Sequence, residues 1–229
     1  MINLGIEKLD RLIGEIRKSS NILVMGPPGP EKMMVGMHYM NACVMDQQSC
    51  IYATSDISPS DIETRGKEIG LDFAAHVGKE ITFIDCYSWA LGTPPVRRND
   101  IQVPGPNALD DMSISIAQAM DDIGSEENTK GSTRVIFHSL STFLLYNNPE
   151  VTFRFIQITG ARLKAAGCTT LYFLESGMHD NKIVVTVKHL MDSVIEIKNE
   201  NNKNYITAPL HGLRKWVEFE VGKKGIKVV

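Results

Sequence analysis

The sequence predicts an α/β fold, with a largely parallel central sheet flanked by helices and antiparallel hairpins at its C-terminal edge. Three observations lead there. Up to Gly167, short apolar runs alternate with helically spaced ones; after Thr169 the chain becomes rich in strand-forming segments; and between the first apolar run and the first long helical pattern lies a Gly/Pro turn ending in a lysine, NILVMGPPGPEKMM, Asn21–Met34. Alternation of strand and helix points to parallel strands, because a parallel pair needs a crossover where an antiparallel pair needs only a turn.

With 229 residues, 43% of them hydrophobic, the chain can bury one sizeable core, and a single domain over residues 1–229 is the simplest division. A formal net charge of −3 gives no general attraction to nucleic acids or anionic membranes. No apolar run approaches the roughly 18 residues of a membrane span. The opening MINLGIEKLDRLIG has acidic residues where a secretory leader is basic and then apolar. A cytoplasmic protein without a membrane partner is the expectation. Cys43, Cys50, Cys86 and Cys168 form no C-x-x-C pair and have no histidine at ligand spacing, so they read as reduced, buried thiols and no metal is expected.

Taken in order, apolar spacing turns helical from about Glu7, and Ile22–Met25 reads as the first strand. From Lys32 to about Met45, Met33, Met37, Met40 and Val44 form a stripe for burial against a sheet. Cys50–Ser55 is the second strand. Ser58, Pro59 and Asp61 then make a helix start, with a capping hydroxyl, a proline at the first helical position and an acid three residues after the cap. Ile81–Cys86 is a third strand, and the proline-rich stretch Gly92–Pro106, carrying Arg97 and Arg98, reads as a mobile loop. Asn107 is placed to cap a helix running through Leu109, Met112, Ile116, Met120 and Ile123 to Gly124; GSEENTKGS is a polar connection into the strand Arg134–Ser139. A further helix starts at Asn148–Pro149 and stops at Gly167. The strands expected after it are Thr169–Leu174, Ile183–Val187, Val194–Lys198, Asn204–Ala208, Trp216–Val221 and Ile226–Val229.

The Gly/Pro turn carries the chemistry. A phosphate-binding loop has the form G-x-x-x-x-G-K-[ST]: backbone N–H groups cradle phosphates, the lysine reaches the outer ones and the hydroxyl holds magnesium. Gly26, Gly29 and Lys32 fit this template. Glu31 stands where the second glycine belongs, and Met33 where the hydroxyl belongs.

Segments in matching order along nearly the whole chain resemble the KaiC/RadA-like branch of the RecA superfamily. LGIEKLDRLIG is similar to its TGIxxLDxLLGGG opening, GPPGPEKMM to GPPGSGKTT, IYATSDISPSDI to YVSLEESPEDI and RVIFHSLSTF to RVVIDSLSAL. VKHLMDSVIEIK is similar to LKHLADGVIELR, and WVEFEVGKKGIKVV to the family's FEITxxGIxV end. The resemblance implies a RecA-like P-loop NTPase fold that binds ATP between subunits of a ring or filament. It also marks four altered positions. Besides Glu31 and Met33, the family's Walker B aspartate corresponds to His138, and its catalytic glutamate pair to Asp56 and Ile57, so both Walker motifs are degenerate and Asp56 is the one remaining catalytic candidate. Arg214 falls where the family supplies an arginine to the neighbouring subunit's nucleotide, with Gly212 replacing the accompanying lysine.

Magnitudes bear on what such a site can do. Two unit charges about 4 Å apart repel by about 4 kcal/mol at an effective dielectric of about 20, so a carboxylate aimed into the cradle costs several decades of affinity. Magnesium ligation and water activation, on which triphosphate hydrolysis depends, are both impaired. Weak or absent ATP binding is expected, and no other cofactor. Each residue also has a structural reading: Lys32 as an ion-pair partner of Glu31, Asp56 as a turn residue, Arg214 as one half of a salt bridge, and His138 as a hydrogen-bonded strand end whose side chain points opposite to that of Ser139. The histidine among carboxylates in Glu175–Asp180 lacks a second, properly spaced histidine and is not read as a metal site.

Three functional classes follow. The first is a non-hydrolysing regulatory or scaffold protein that self-associates, or binds an unknown protein partner, through a C-terminal edge bearing Trp216 and Phe219. The second is a nucleotide-dependent switch or slow ATPase. The third, a DNA-recombination accessory protein, is disfavoured because Tyr146–Pro149 and Ser176–Lys182, the loops that would hold DNA, carry one lysine and no arginine.

Overall fold

The computed structural model describes residues 2–91, 100–125 and 133–229. Among them the chain runs α1 (Glu7–Ile13), β1 (Asn21–Gly26), α2 (Glu31–Met45), β2 (Cys50–Thr54), α3 (Pro59–Glu68), β3 (Ile81–Asp85), β4 (Ile101–Gln102) and α4 (Leu109–Ser125). It continues through β5 (Arg134–His138), α5 (Leu140–Tyr146), α6 (Pro149–Ala165), β6 (Thr169–Glu175), α7 (Asn181–His189), β7 (Ser193–Glu200), β8 (Lys203–Ala208), β9 (Leu213–Gly222) and β10 (Gly225–Val228). These strands form one sheet in the order β10-β9-β8-β7-β1-β6-β5-β2-β3-β4. From β7 to β4 every pairing is parallel, and β7 to β10 is an antiparallel meander.

The central strands β2, β5 and β6 are buried at nearly every position because both faces of the sheet are covered. Ile22 and Val24 enter a core shared with α1, α2 and α3; Leu23, between them, enters a second core shared with α4, α5, α6 and α7. That alternation is the pleat of β1. Met33, Met37 and Met40 lie in the first core, as their spacing predicts.

Several expectations are corrected. Ile183–Val187, expected as a strand from its run of β-branched residues, lies within α7. Strands β6 and β7 both run parallel to β1, so the chain between them has to cross over, and the tenths of a kcal/mol that β-branched residues cost a helix do not outweigh this. Helix α5 and the short β4, inside the loop expected from Gly92 to Pro106, are additions. Asn107 lies in a turn, and it is Ala108 whose carbonyl accepts the first helical N–H, from Met112 at 3.0 Å. Residues 92–99 of that loop and residues 126–132 of the polar connection are outside the described residues. Phe219 is buried and packs in the first core, leaving Trp216, 41% exposed, as the accessible aromatic of the pair.

Candidate functional site

Parallel strands gather their carboxyl ends along one side of a sheet, and in such folds that side carries the ligand site. Here β1 ends at Gly26, β6 at Glu175, β5 at His138 and β2 leads into Asp56, in adjacent order across the sheet. Gly26 is in register with Glu175, and Thr54 with His138. The sequence-picked residues Gly26, Gly29, Glu31, Lys32, Met33, Asp56 and His138 therefore meet at one end of the sheet.

Lys32 is 2% exposed and bends back under the turn. Its ammonium donates to Gly26 O at 3.3 Å, to Pro27 O, and to Glu175 Oε2 at 2.9 Å. An ammonium has three N–H donors, so these contacts use its capacity. Its ion-pair partner is Glu175, not Glu31 as expected, because the side chain follows the loop carbonyls inward. Burial pushes the Glu175 carboxyl up from its ordinary range, Lys32 opposes that, and the nearby charges of Asp56 and Glu31 add to it.

Glu31 opens α2, and its carboxylate lies over Gly29, where a side chain on that glycine would stand. Met33 is 5% exposed and belongs to the first core. A Cβ on Gly26 would come within 2.9 Å of Ile197 Cβ, so the first glycine of the turn packs against β7.

Across the site, His138 Nδ1 lies 2.9 Å from the Tyr52 hydroxyl, and its ring packs edge-on against Phe173. Burial lowers the His138 pKa, with Asp56 opposing, and raises that of Tyr52 well above its usual value. The Tyr52 hydroxyl and His138 Nδ1 thus share a hydrogen bond, and Nε2 faces Asp56 Oδ1 at 3.6 Å. Ser139 Oγ lies 3.3 Å from Asp56 Oδ2. The expectation that His138 and Ser139 diverge is corrected: β5 ends at His138, strand alternation ends with it, and both side chains reach the same carboxylate. The peptide between them is cis. Among the described residues no three histidine, cysteine, aspartate or glutamate side chains are grouped to hold a metal ion.

Arg214 is not part of this constellation. It is exposed at the start of β9, three strands from β1, roughly 14 Å at the usual spacing, and no ion pair is seen for it among the described residues. Sequence reasoning missed Glu175, Tyr52 and Ser139 as site residues. The signal for Glu175 was available, since it is a carboxylate closing the apolar run TTLYFLE at a strand's carboxyl end.

No helix among the described residues is long and apolar enough to cross a membrane. The structure is similar to the crystal structure of KaiC-like protein PH0186 from Pyrococcus horikoshii, with a TM-score of 0.75 and 16% identity, covering 100% of this chain and 98% of that one. The architecture is thus a KaiC-like RecA fold. Among curated proteins, UPF0273 protein PAE3143 of Pyrobaculum aerophilum is 23% identical over 84% of this chain and 66% of its own length. UPF0273 protein MK0039 of Methanopyrus kandleri is 20% identical over 99% of this chain and 91% of its own. The model of a family of unknown function, DUF7504, matches residues 19–197, from just before β1 into β7, and the chain belongs to that family.

Proposed function

We propose that this protein is a non-hydrolysing regulatory or scaffold member of the KaiC-like fold, with degenerate Walker motifs and a triphosphate site closed from within. The observation that carries the reading is Lys32: buried, with all three donors engaged by Gly26, Pro27 and Glu175. A phosphate gains this lysine only by displacing Glu175 or a loop carbonyl, and breaking one side of a buried ion pair costs about 3 kcal/mol or more. Glu31 adds a like charge at the mouth of the turn, Met33 offers no hydroxyl to magnesium, and His138 stands beside Asp56 where a carboxylate is needed for the metal. Four free, buried cysteines suit a reducing, cytoplasmic setting.

One feature favours the second reading, a slow ATPase or nucleotide-dependent switch. The Asp56 side chain is 35% exposed at the mouth of the site, with Ser139 and His138 fixing it, as a water-orienting carboxylate would be. A titration with labelled ATP, with and without magnesium, separates the two. The expected result is no magnesium-dependent saturation and no hydrolysis above a buffer control; turnover of about 1 per second or more overturns the proposal.

A further inference from the structure

β10 is the edge of the sheet, paired with β9 alone. In an antiparallel ladder, residues alternate between turning their N–H and C=O groups toward the partner and away from it. Val229 N–H donates to Glu218 O at 3.0 Å, which sets the phase, so Ile226 and Val228 face outward. Both are met there. Ile226 N–H donates to His38 Nε2 at 2.9 Å, and Lys8 Nζ donates to Val228 O at 3.5 Å. One side chain from α2 and one from α1 thus occupy two of the four backbone groups that these residues turn outward.

The fit around His38 is close. Gly225, at φ +78°, lies against the imidazole, and any side chain there would overlap Nε2. Gly5 lies against the His38 backbone carbonyl in the same way. His38 is 9% exposed. Nε2 accepts from the Ile226 N–H, and only the neutral ring can accept there.

We infer that His38 is an acid-opened clasp that fastens the terminal strand β10 to the helix leading out of the Gly/Pro turn. A proton on Nε2 turns an acceptor into a donor pointed at the Ile226 N–H, so attraction becomes repulsion and the edge strand loses its tether. Burial holds the His38 pKa below the ordinary value near 6.5, with the Gly5 carbonyl opposing. The charged residues on the surrounding elements are Glu7, Lys8, Asp10 and Arg11 on α1, Glu31 and Lys32 on α2, Arg214, Lys215, Glu218 and Glu220 on β9, and Lys227 on β10; none contributes to the shift. Because the folded pKa is depressed, the clasp contributes fully above about pH 6.5 and is lost as pH falls through the folded value. This holds whether or not the site above binds nucleotide.

The test is hydrogen exchange at the Ile226 amide in steps from about pH 7.5 down to the onset of global unfolding, corrected for intrinsic rates, with the Leu23 amide of β1 as an internal control. Ile226 protection is expected to fall about tenfold for each unit by which pH passes below the folded pKa, while Leu23 stays protected. His38→Gln, which keeps an acceptor without titrating, is expected to abolish the dependence. In the unsubstituted protein, the His38 ring and the Ile226 amide are expected to share one NMR titration midpoint, which keeps the test open if the variant fails to fold. Unchanged Ile226 protection, equal loss at Leu23, the same pH dependence in His38→Gln, or separate midpoints would each overturn the clasp.

Discussion

An ammonium group has three N–H bonds, and at Lys32 all three are directed inside the protein, so the residue that most resembles a nucleotide contact is committed elsewhere. At this scale the sequence was partly legible. Gly26, Gly29, Glu31, Lys32 and Met33 lie within a few residues of one another, and local spacing placed them. Glu175 lies 143 positions from Lys32 and was not paired with it, because partner choice at that separation is decided by strand register and not by spacing. Tyr52 and His138 likewise meet only because β2 and β5 are neighbours. The role assigned to Glu31 can be measured directly. Opening the turn with Glu31→Gly and restoring a hydroxyl with Met33→Thr is expected to raise ATP affinity by one to several decades, about 1.4 kcal/mol for each, and to introduce some magnesium dependence. Equal affinity in the wild type and the double variant would show that Glu31 is not the obstacle.

Element boundaries were most legible where a cap writes them. Ser58 accepts the Asp61 N–H at 3.1 Å and its hydroxyl contacts the Asp61 carboxylate at 2.6 Å, so the capping pattern seen in the sequence is the geometry of α3. Ser58→Ala is expected to lower stability by about 1 kcal/mol, read from chemical denaturation, without altering the fold. Helix α7 shows the opposite case. Its IVVTV run has the composition of a strand, and the requirement that made it a helix, a crossover onto the far side of β1, belongs to the sheet order. Helix α5 was hidden for a related reason, since only His138 and Ser139 separate its first residue from the apolar run of β5.

For the molecule as a whole, alternation of element types was enough to predict a parallel sheet with antiparallel additions, but not the position of β1 between β6 and β7, which brings the turn beside Glu175. The open end of the sheet also differs from its sequence reading. Trp216 lies on it with the Lys198 ammonium 4.9 Å from its ring centroid, whereas Phe219 faces the core. Self-association in the absence of nucleotide is expected to be weak, and sedimentation over a range of concentrations measures it. A strict monomer at high concentration would count against assembly, and an oligomer that survives Arg214→Ala would place Arg214 outside the interface.

The contact between Gly26 and Ile197 bears on how such chains are recognised. What keeps that glycine in place is the room available between two neighbouring strands, a demand present whether or not a phosphate ever arrives. A glycine can in this way hold the first place of such a turn for packing alone, independently of any ligand.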